Sequence, residues 1–176
     1  MRHLLLFILL LFTGCGFHLR GAVELPPVLS EIAVKDVSLG SGIAPDLRRA
    51  LIKAGVLIFD SAPMVLQLQA EKYGKRVLSV DSLGRAQEYG LSYTVRFSLK
   101  DKKGLMWISD SPVIQTRDLR FDANAVLGSG NEESQLNTEM RHDAVSQILR
   151  QLQYAKEPVK QAEKGVDQSV KKSESK

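Results

Sequence analysis

In QEYGLSYTVRFSL, residues 87–99, apolar side chains recur at every second position from Tyr89 to Leu99. A period of two residues is the period of a β-strand, because successive side chains point to opposite faces of the sheet. The polar side carries Ser, Thr and Arg residues. The apolar side consists of Tyr89, Leu91, Tyr93, Val95, Phe97 and Leu99. The stretch therefore predicts a sheet with one buried face and one polar face.

Three further segments have the composition and alternation of strands. Gly74 is expected to allow a bulge or bend in the second of them, and Pro112 to interrupt the third. Turn signals rich in Asp and Gly separate the three long strands. The segments are Ser30–Val37, Met64–Val80 and residues 105–121, and the turns are Asp81–Gly84 and Asp101–Gly104.

Two segments have helical periodicity instead. The first is expected to begin near Pro45 and to end at Gly55, because Pro suits a first helical turn and Gly a helix end. The second follows a predicted loop, Asn124–Gly130, and starts near Glu132, whose negative charge suits a helix N-terminus. The apolar stripe of the first segment consists of Leu47, Ala50, Leu51 and Ala54. That of the second consists of Leu136, Met140, Ala144, Ile148 and Leu152, and it is widened by Val145 and Leu149.

The order of these elements predicts an α+β fold. We expect a two-layer sandwich in which both helices pack on one face of a roughly four-stranded, mostly antiparallel mixed sheet. The short apolar run Val56–Phe59 is interpreted as the approach to a turn. Residues 155–176 are rich in Lys and have no aromatic side chain, which is typical of a disordered charged tail.

The first fourteen residues are typical of an export signal. Arg2 supplies the positive charge, and nine apolar residues follow from Leu4 to Phe12, too few to span a bilayer. Thr13 and Gly14 then precede Cys15, the only cysteine of the chain. This order resembles the bacterial lipobox, which predicts a lipoprotein signal peptide at 1–14 and acylation of Cys15.

A lipid-modified Cys15 would explain why an exported protein keeps a single cysteine, since it needs no disulfide partner. Acyl chains on this residue would anchor a soluble domain stably to a membrane. The alternative is a conventional signal peptide cleaved nearby, which would leave a free thiol in an oxidising compartment.

Composition and motifs argue against catalysis and against nucleic-acid binding. The net charge of +4 is small and scattered. Beyond the export signal the histidines are His18 and His142, and neither has a neighbour at a recognised metal-ligand spacing. No nucleophile elbow, P-loop or dinucleotide fingerprint is present. We therefore predict a binding or structural protein that is not an enzyme and has no cofactor.

One group of basic residues could bind an anion. Lys72, Lys75, Arg76 and Arg85 flank the Asp81–Gly84 turn, so a hairpin would bring them towards one end of the sheet. Clustered Lys and Arg side chains can hold phosphate groups. The alternative is that they only keep exposed strand ends soluble.

Three stretches resemble one known family. CGFHLRG at 15–21, QEYGLSYTVRFSL at 87–99 and EMRHDAVSQILRQL at 139–152 are similar to the LPS-assembly lipoprotein LptE (RlpB) family, over the range 15–154. The resemblance implies two helices on a four-stranded sheet. It also implies a lipoprotein of the Gram-negative outer membrane, on the periplasmic side, which Gly16 after the lipidated Cys15 fits.

The resemblance further implies partners. The chain would form a heterodimer with an LptD-type β-barrel, plug that barrel, assist its assembly and take part in delivering lipopolysaccharide to the cell surface. Family positions associated with lipopolysaccharide contact correspond here to the Asp81–Gly84 turn and to Thr138, which carry no cation. Lys75, Arg76 and Arg85 are the neighbouring candidates for that contact.

Two other functions are compatible with the residues alone. One is a free-standing lipid- or glycan-binding carrier lipoprotein facing the periplasm, which would require an enclosed apolar cavity. The other is a small lipid-anchored hydrolase, which would require a convergent nucleophile and base in the folded chain.

Overall fold

The structure is a computed structural model, and it describes residues 24–36, 42–121, 126–156 and 158. The predicted signal peptide at 1–14, Cys15 and nearly all of the predicted tail lie outside the described residues. Within the described ranges, no helix has both the length and the apolar character needed to cross a membrane.

The described strands form one five-stranded mixed sheet in the order β2-β1-β3-β4-β5. β1 pairs in parallel with β2 and with β3, whereas β3, β4 and β5 form an antiparallel meander. The predicted number of four strands is too low by one. The additional strand is β2, which has two residues and lies within Val56–Phe59, the run that was interpreted as leading into a turn. The bounds are β1 Glu31–Asp36, β2 Leu57–Ile58, β3 Met64–Val80, β4 Ala86–Asp101 and β5 Met106–Arg120.

β3 is regular at Gly74, where a bulge was predicted, and its first irregularity lies nearer the start of the strand. Gly74 pairs in register with Ser92, and the register shifts between Leu68 and Ala70 instead. Because one extra residue reverses which side chains face the core, the buried side of β3 changes there. Met64, Leu66 and Leu68 are buried ahead of the shift, and Glu71, Tyr73 and Lys75 lie opposite core-facing residues of β4 after it.

This reversal places a carboxylate beneath a helix. Glu71 accepts a hydrogen bond from the buried Tyr93 hydroxyl at 2.6 Å and one from the backbone N–H of Ile43 at 3.2 Å. The first turn of a helix has N–H groups without helical partners, so the carboxylate satisfies one of them. Burial and this hydrogen bond to Glu71 both raise the pKa of Tyr93.

The first helix, α1, spans Ile43–Lys53, so it begins ahead of Pro45. Ile43 and Ala44 are buried, which explains the earlier start. The helix ends before Gly55, whose φ of +86° is the left-handed conformation that favours glycine.

The second helix, α2, spans Val126–Gln153, so the predicted loop at Asn124–Gly130 is wrong from residue 126 onwards. Ser129 is buried, which shows that the early turns of α2 pack on the domain despite their helix-breaking glycines. The predicted apolar stripe is confirmed, because its later members are all buried: Met140, Ala144, Val145, Ile148, Leu149 and Leu152.

β5 is one strand and is not broken at Pro112. Pro112 stays in register opposite Arg96, which an edge strand tolerates because one side of it needs no hydrogen-bond donors. The irregularity lies at Ser109 and Asp110, where Asp110 has a positive φ of 27° and its carboxylate pairs with Arg96.

Both helices pack on the same face of the sheet, which we call the inner face. Side chains of α2 meet those of β5 through Gln147–Gln115 and Arg117–Asp143 contacts, and Arg141 of α2 pairs with Asp46 of α1 at 2.7 Å. The opposite, outer face carries no α-helix among the described residues. The predicted α+β sandwich is therefore confirmed, with five strands.

Candidate functional site

The predicted basic residues lie in the far part of the β3–β4 hairpin, residues 72–94, which we call the distal hairpin. β3 and β4 pair from Lys72 opposite Thr94 to Val80 opposite Ala86, and the turn Asp81–Gly84 closes the hairpin as predicted. Neither α1 nor α2 lies on its outer face among the described residues.

Arg85 belongs to the turn itself. The carboxylate of Asp81 accepts hydrogen bonds from the Arg85 backbone N–H at 2.9 Å, from the Arg85 Nε at 2.7 Å and from the Leu83 backbone N–H at 2.9 Å. These bonds, led by the one from the Arg85 backbone, lower the pKa of Asp81. Arg85 is thus partnered with a carboxylate at the tip.

Lys75 lies on the inner face and connects the hairpin to α2. Its Nζ lies 2.6 Å from Oε2 of Glu133 and 4.3 Å from the centroid of the Tyr89 ring. Tyr73 donates a second hydrogen bond to Glu133 at 2.8 Å. The hydrogen bond from Lys75 is the main cause that lowers the pKa of Glu133. Lys75 therefore has a structural role, holding the early part of α2 against the sheet.

Arg76 lies on the outer face and is free to bind a ligand. It is exposed, and no side chain among the described residues makes a hydrogen bond or an ion pair with it; the same holds for Lys72 on that face. Gly90 lies directly opposite Arg76. A Cβ at Gly90 would come within 3.3 Å of the Arg76 Nε and 3.1 Å of Leu78, so the missing side chain lets both lie close to β4.

The structure therefore separates the three predicted binding residues. Lys75 faces the helices, Arg76 faces the opposite side of the sheet, and Arg85 is bound within the turn. They occupy one end of the sheet as expected, but they do not form one cluster, because adjacent residues of a strand point to opposite faces.

The distal hairpin also exposes apolar side chains that the sequence analysis did not single out. Val77, Val80 and Leu83 are 53%, 57% and 74% exposed, and Leu78 is exposed as well. In a regular strand Leu78 would share the buried side of Leu66 and Leu68, but the shift between Leu68 and Ala70 turns it to the outer face, where it lies near Gly90. Contiguous exposed apolar surface often marks a binding site.

Other predicted positions contribute little to this site. Thr138 uses its hydroxyl to donate a hydrogen bond to the Ser134 carbonyl at 3.0 Å, and His142 is exposed on α2. No group of three or more potential metal ligands occurs among the described residues. The distal hairpin thus offers cations without partners in the described ranges beside exposed apolar side chains, a combination suited to an anionic amphiphile.

Comparison with known proteins identifies relatives over most of the chain. The LPS-assembly lipoprotein LptE of Photorhabdus laumondii is 29% identical over 162 residues, covering 86% of this chain and 87% of that protein. LptE of Pectobacterium atrosepticum is 27% identical over 150 residues, with 81% and 79% covered.

A solved structure agrees with the observed fold. The solution structure of lipoprotein B from Nitrosomonas europaea is 31% identical, covers 78% of this chain and 90% of its own, and superposes with a TM-score of 0.67. The family described as LptE, Lipopolysaccharide-assembly, matches residues 28–152. Because this match covers well over half of the 176 residues, the chain belongs to the LptE family.

Proposed function

We propose that this protein is a non-enzymatic lipoprotein of the outer membrane, anchored on the periplasmic side through acylated Cys15. It pairs with an LptD-type β-barrel, plugs it and assists its assembly, and it takes part in delivering lipopolysaccharide to the cell surface. Membership of the LptE family supports the assembly role, and the two curated relatives carry the name of LPS-assembly lipoproteins.

The observation that carries the delivery part of the proposal is the composition of the distal hairpin. Lipopolysaccharide combines phosphate groups with acyl chains. Arg76 and Lys72 are cations on the outer face without a partner among the described residues, and Val80 and Leu83 expose apolar surface at the tip. A guanidinium group can bind phosphate oxygens through two hydrogen bonds, so Arg76 is the principal candidate for this contact.

Co-purification tests the partnership. Full-length protein extracted from outer membranes in mild detergent is expected to remain bound to a large β-barrel protein, and its depletion is expected to leave lipopolysaccharide short of the surface. Recovery as a solitary protein, with normal surface lipopolysaccharide after depletion, would favour the free-standing carrier instead. Intact-mass analysis tests the anchor, because unmodified Cys15 would contradict it.

Charge reversal at Arg76 tests the lipopolysaccharide contact separately from the association with the barrel. Arg76→Glu should weaken lipopolysaccharide binding by about tenfold or more, as expected for the loss of a charge-assisted hydrogen bond. Barrel association should persist. Lys53→Glu is the matched control, because Lys53 is an exposed cation in the last turn of α1, away from the hairpin. Equal affinity of both variants for lipopolysaccharide would reject Arg76 as a ligand.

A further inference from the structure

A second candidate site lies at the opposite end of the sheet. The end of α2 and the start of β5 border an open cleft of about 570 Å³, within the range of about 300–1,000 Å³ usual for ligand sites. It is far from the distal hairpin, because β4 runs from one to the other. We call it the Trp107 cleft. Its lining side chains include Trp107, Gln147, Arg150, Gln151, Tyr154 and Lys156.

Two amide side chains present unused donors along this cleft. The Oε1 of Gln147 accepts a hydrogen bond from Gln115 at 2.8 Å, and the Oε1 of Gln151 accepts one from the Ser111 hydroxyl at 2.8 Å. These bonds fix both oxygens against β5. Each terminal NH₂ group keeps two N–H donors, and no acceptor for them occurs among the described residues.

The charged groups that line the cleft in the described part of the chain are cations. Arg150 and Lys156 are exposed, and neither makes an ion pair within the part of the chain that the structure describes. Arg150 lies in the last turn of α2, where a cation also offsets the partial negative charge of the helix end. None of the described residues lining the cleft is acidic.

The aromatic residues add flat surfaces to the cleft. Tyr154 is 75% exposed at the end of α2, so its ring is available for contact. The Nε1 atom of Trp107 is buried, and it has no hydrogen-bond partner among the described residues. A buried N–H without an acceptor is costly, and buried polar groups in folded proteins are normally paired.

We propose that the Trp107 cleft binds an anionic saccharide. A sugar ring would lie against the aromatic side chains of Trp107 and Tyr154, and the amide groups of Gln147 and Gln151 would donate to its oxygens. Arg150, with Lys156 beside it, would bind the phosphate or carboxylate group. The charged and amide side chains of the cleft present donors, which favours a ligand rich in acceptors. This site goes beyond the proposed lipopolysaccharide contact at the distal hairpin.

Trp107 is the only tryptophan of the chain, so its fluorescence reports ligand binding directly. Full-length protein in detergent should show a saturable change in emission when titrated with the phosphorylated oligosaccharide of fully deacylated lipopolysaccharide. A galacturonic acid hexamer tests a carboxylate source, and its tighter binding would assign the site to an acidic glycan. Either result supports an anionic saccharide.

Two surface variants test the assigned contacts. Arg150→Gln and Tyr154→Ala should each weaken binding by about tenfold. Lys53→Gln removes an exposed cation from α1 and should leave saccharide binding unchanged. Arg76→Glu should not affect binding in this cleft, which separates this inference from the proposed function.

Three results would overturn the inference. The first is the absence of a saturable fluorescence change with either saccharide. The second is equal affinity for the phosphorylated oligosaccharide and for an uncharged one such as maltohexaose. The third is tighter binding of hexaglutamate than of both saccharides, which would indicate an acidic protein partner.

Discussion

Removing the Tyr93 hydroxyl should destabilise the domain in a way that the structure makes quantitative. The Tyr93 side chain is 2% exposed, and its hydroxyl donates to Glu71 at 2.6 Å. A hydrogen bond to a charged group contributes about 1.5–3 kcal/mol, so Tyr93→Phe should lower the free energy of unfolding by about 2 kcal/mol. For a domain of this size that corresponds to a fall in Tm of roughly 4–8 °C.

Glu71→Ala should cost more, because it removes two interactions. The Tyr93 hydroxyl would be left buried without a partner, and the Ile43 N–H would lose its acceptor at the start of α1. Together these losses amount to about 2–4 kcal/mol. In the double variant the two effects should not add, since both act on the same contact.

Urea unfolding of the full-length protein, followed by circular dichroism, measures these changes. Tyr154→Phe is the matched control, because Tyr154 is exposed and its hydroxyl has no partner among the described residues. It should change stability by less than about 0.5 kcal/mol. The reasoning fails if Tyr93→Phe matches that control, or if Glu71→Ala is the milder of the two core variants.

Two further predictions concern the attachment of the helices. The contact of Glu133 with Lys75 lowers the pKa of Glu133, so its stabilising effect is complete above the ordinary value of 4.5 and is lost as pH falls through the lower folded pKa. The stability difference between wild type and Glu133→Gln should therefore shrink in acid, and a pH-independent difference in urea midpoints would contradict this. Gly42→Ala should destabilise more than Gly55→Ala: both glycines have positive φ, but only at Gly42 would a Cβ meet another side chain, at 2.0 Å. Thermal unfolding of the two variants compares them directly, and equal Tm values would count against the close contact.

The sequence predicted the architecture because hydrophobic periodicity is a local property. Alternation in Tyr89–Leu99 identified β4, and the stripe ending at Leu152 identified the last helix. Their combination required one sheet face to be covered by helices. The short strand Leu57–Ile58 was missed because two residues carry no periodicity. The early turns of α2 were missed because their glycines favour a loop, whereas packing of Ser129 favours the helix.

The candidate sites depended much more on tertiary structure. Sequence placed Lys75, Arg76 and Arg85 near one turn, but only the folded chain shows that Lys75 binds Glu133 and that Arg76 has no partner within the described ranges. The Trp107 cleft joins side chains from β5 and the end of α2, and no local pattern predicts that junction.

Local patterns in the sequence predict the α+β class and the buried faces of β4 and of the two helices, and they suggest lipid attachment at Cys15, because each depends only on neighbouring residues. Tertiary structure decided where the register of β3 shifts, and therefore which polar side chains point inward. One extra residue reverses a strand's faces, and its position is set by pairing with β4 and by packing against helices distant in sequence. The shift turns Glu71 and Lys75 to the inner face, where Glu71 accepts from Tyr93 and Lys75 pairs with Glu133.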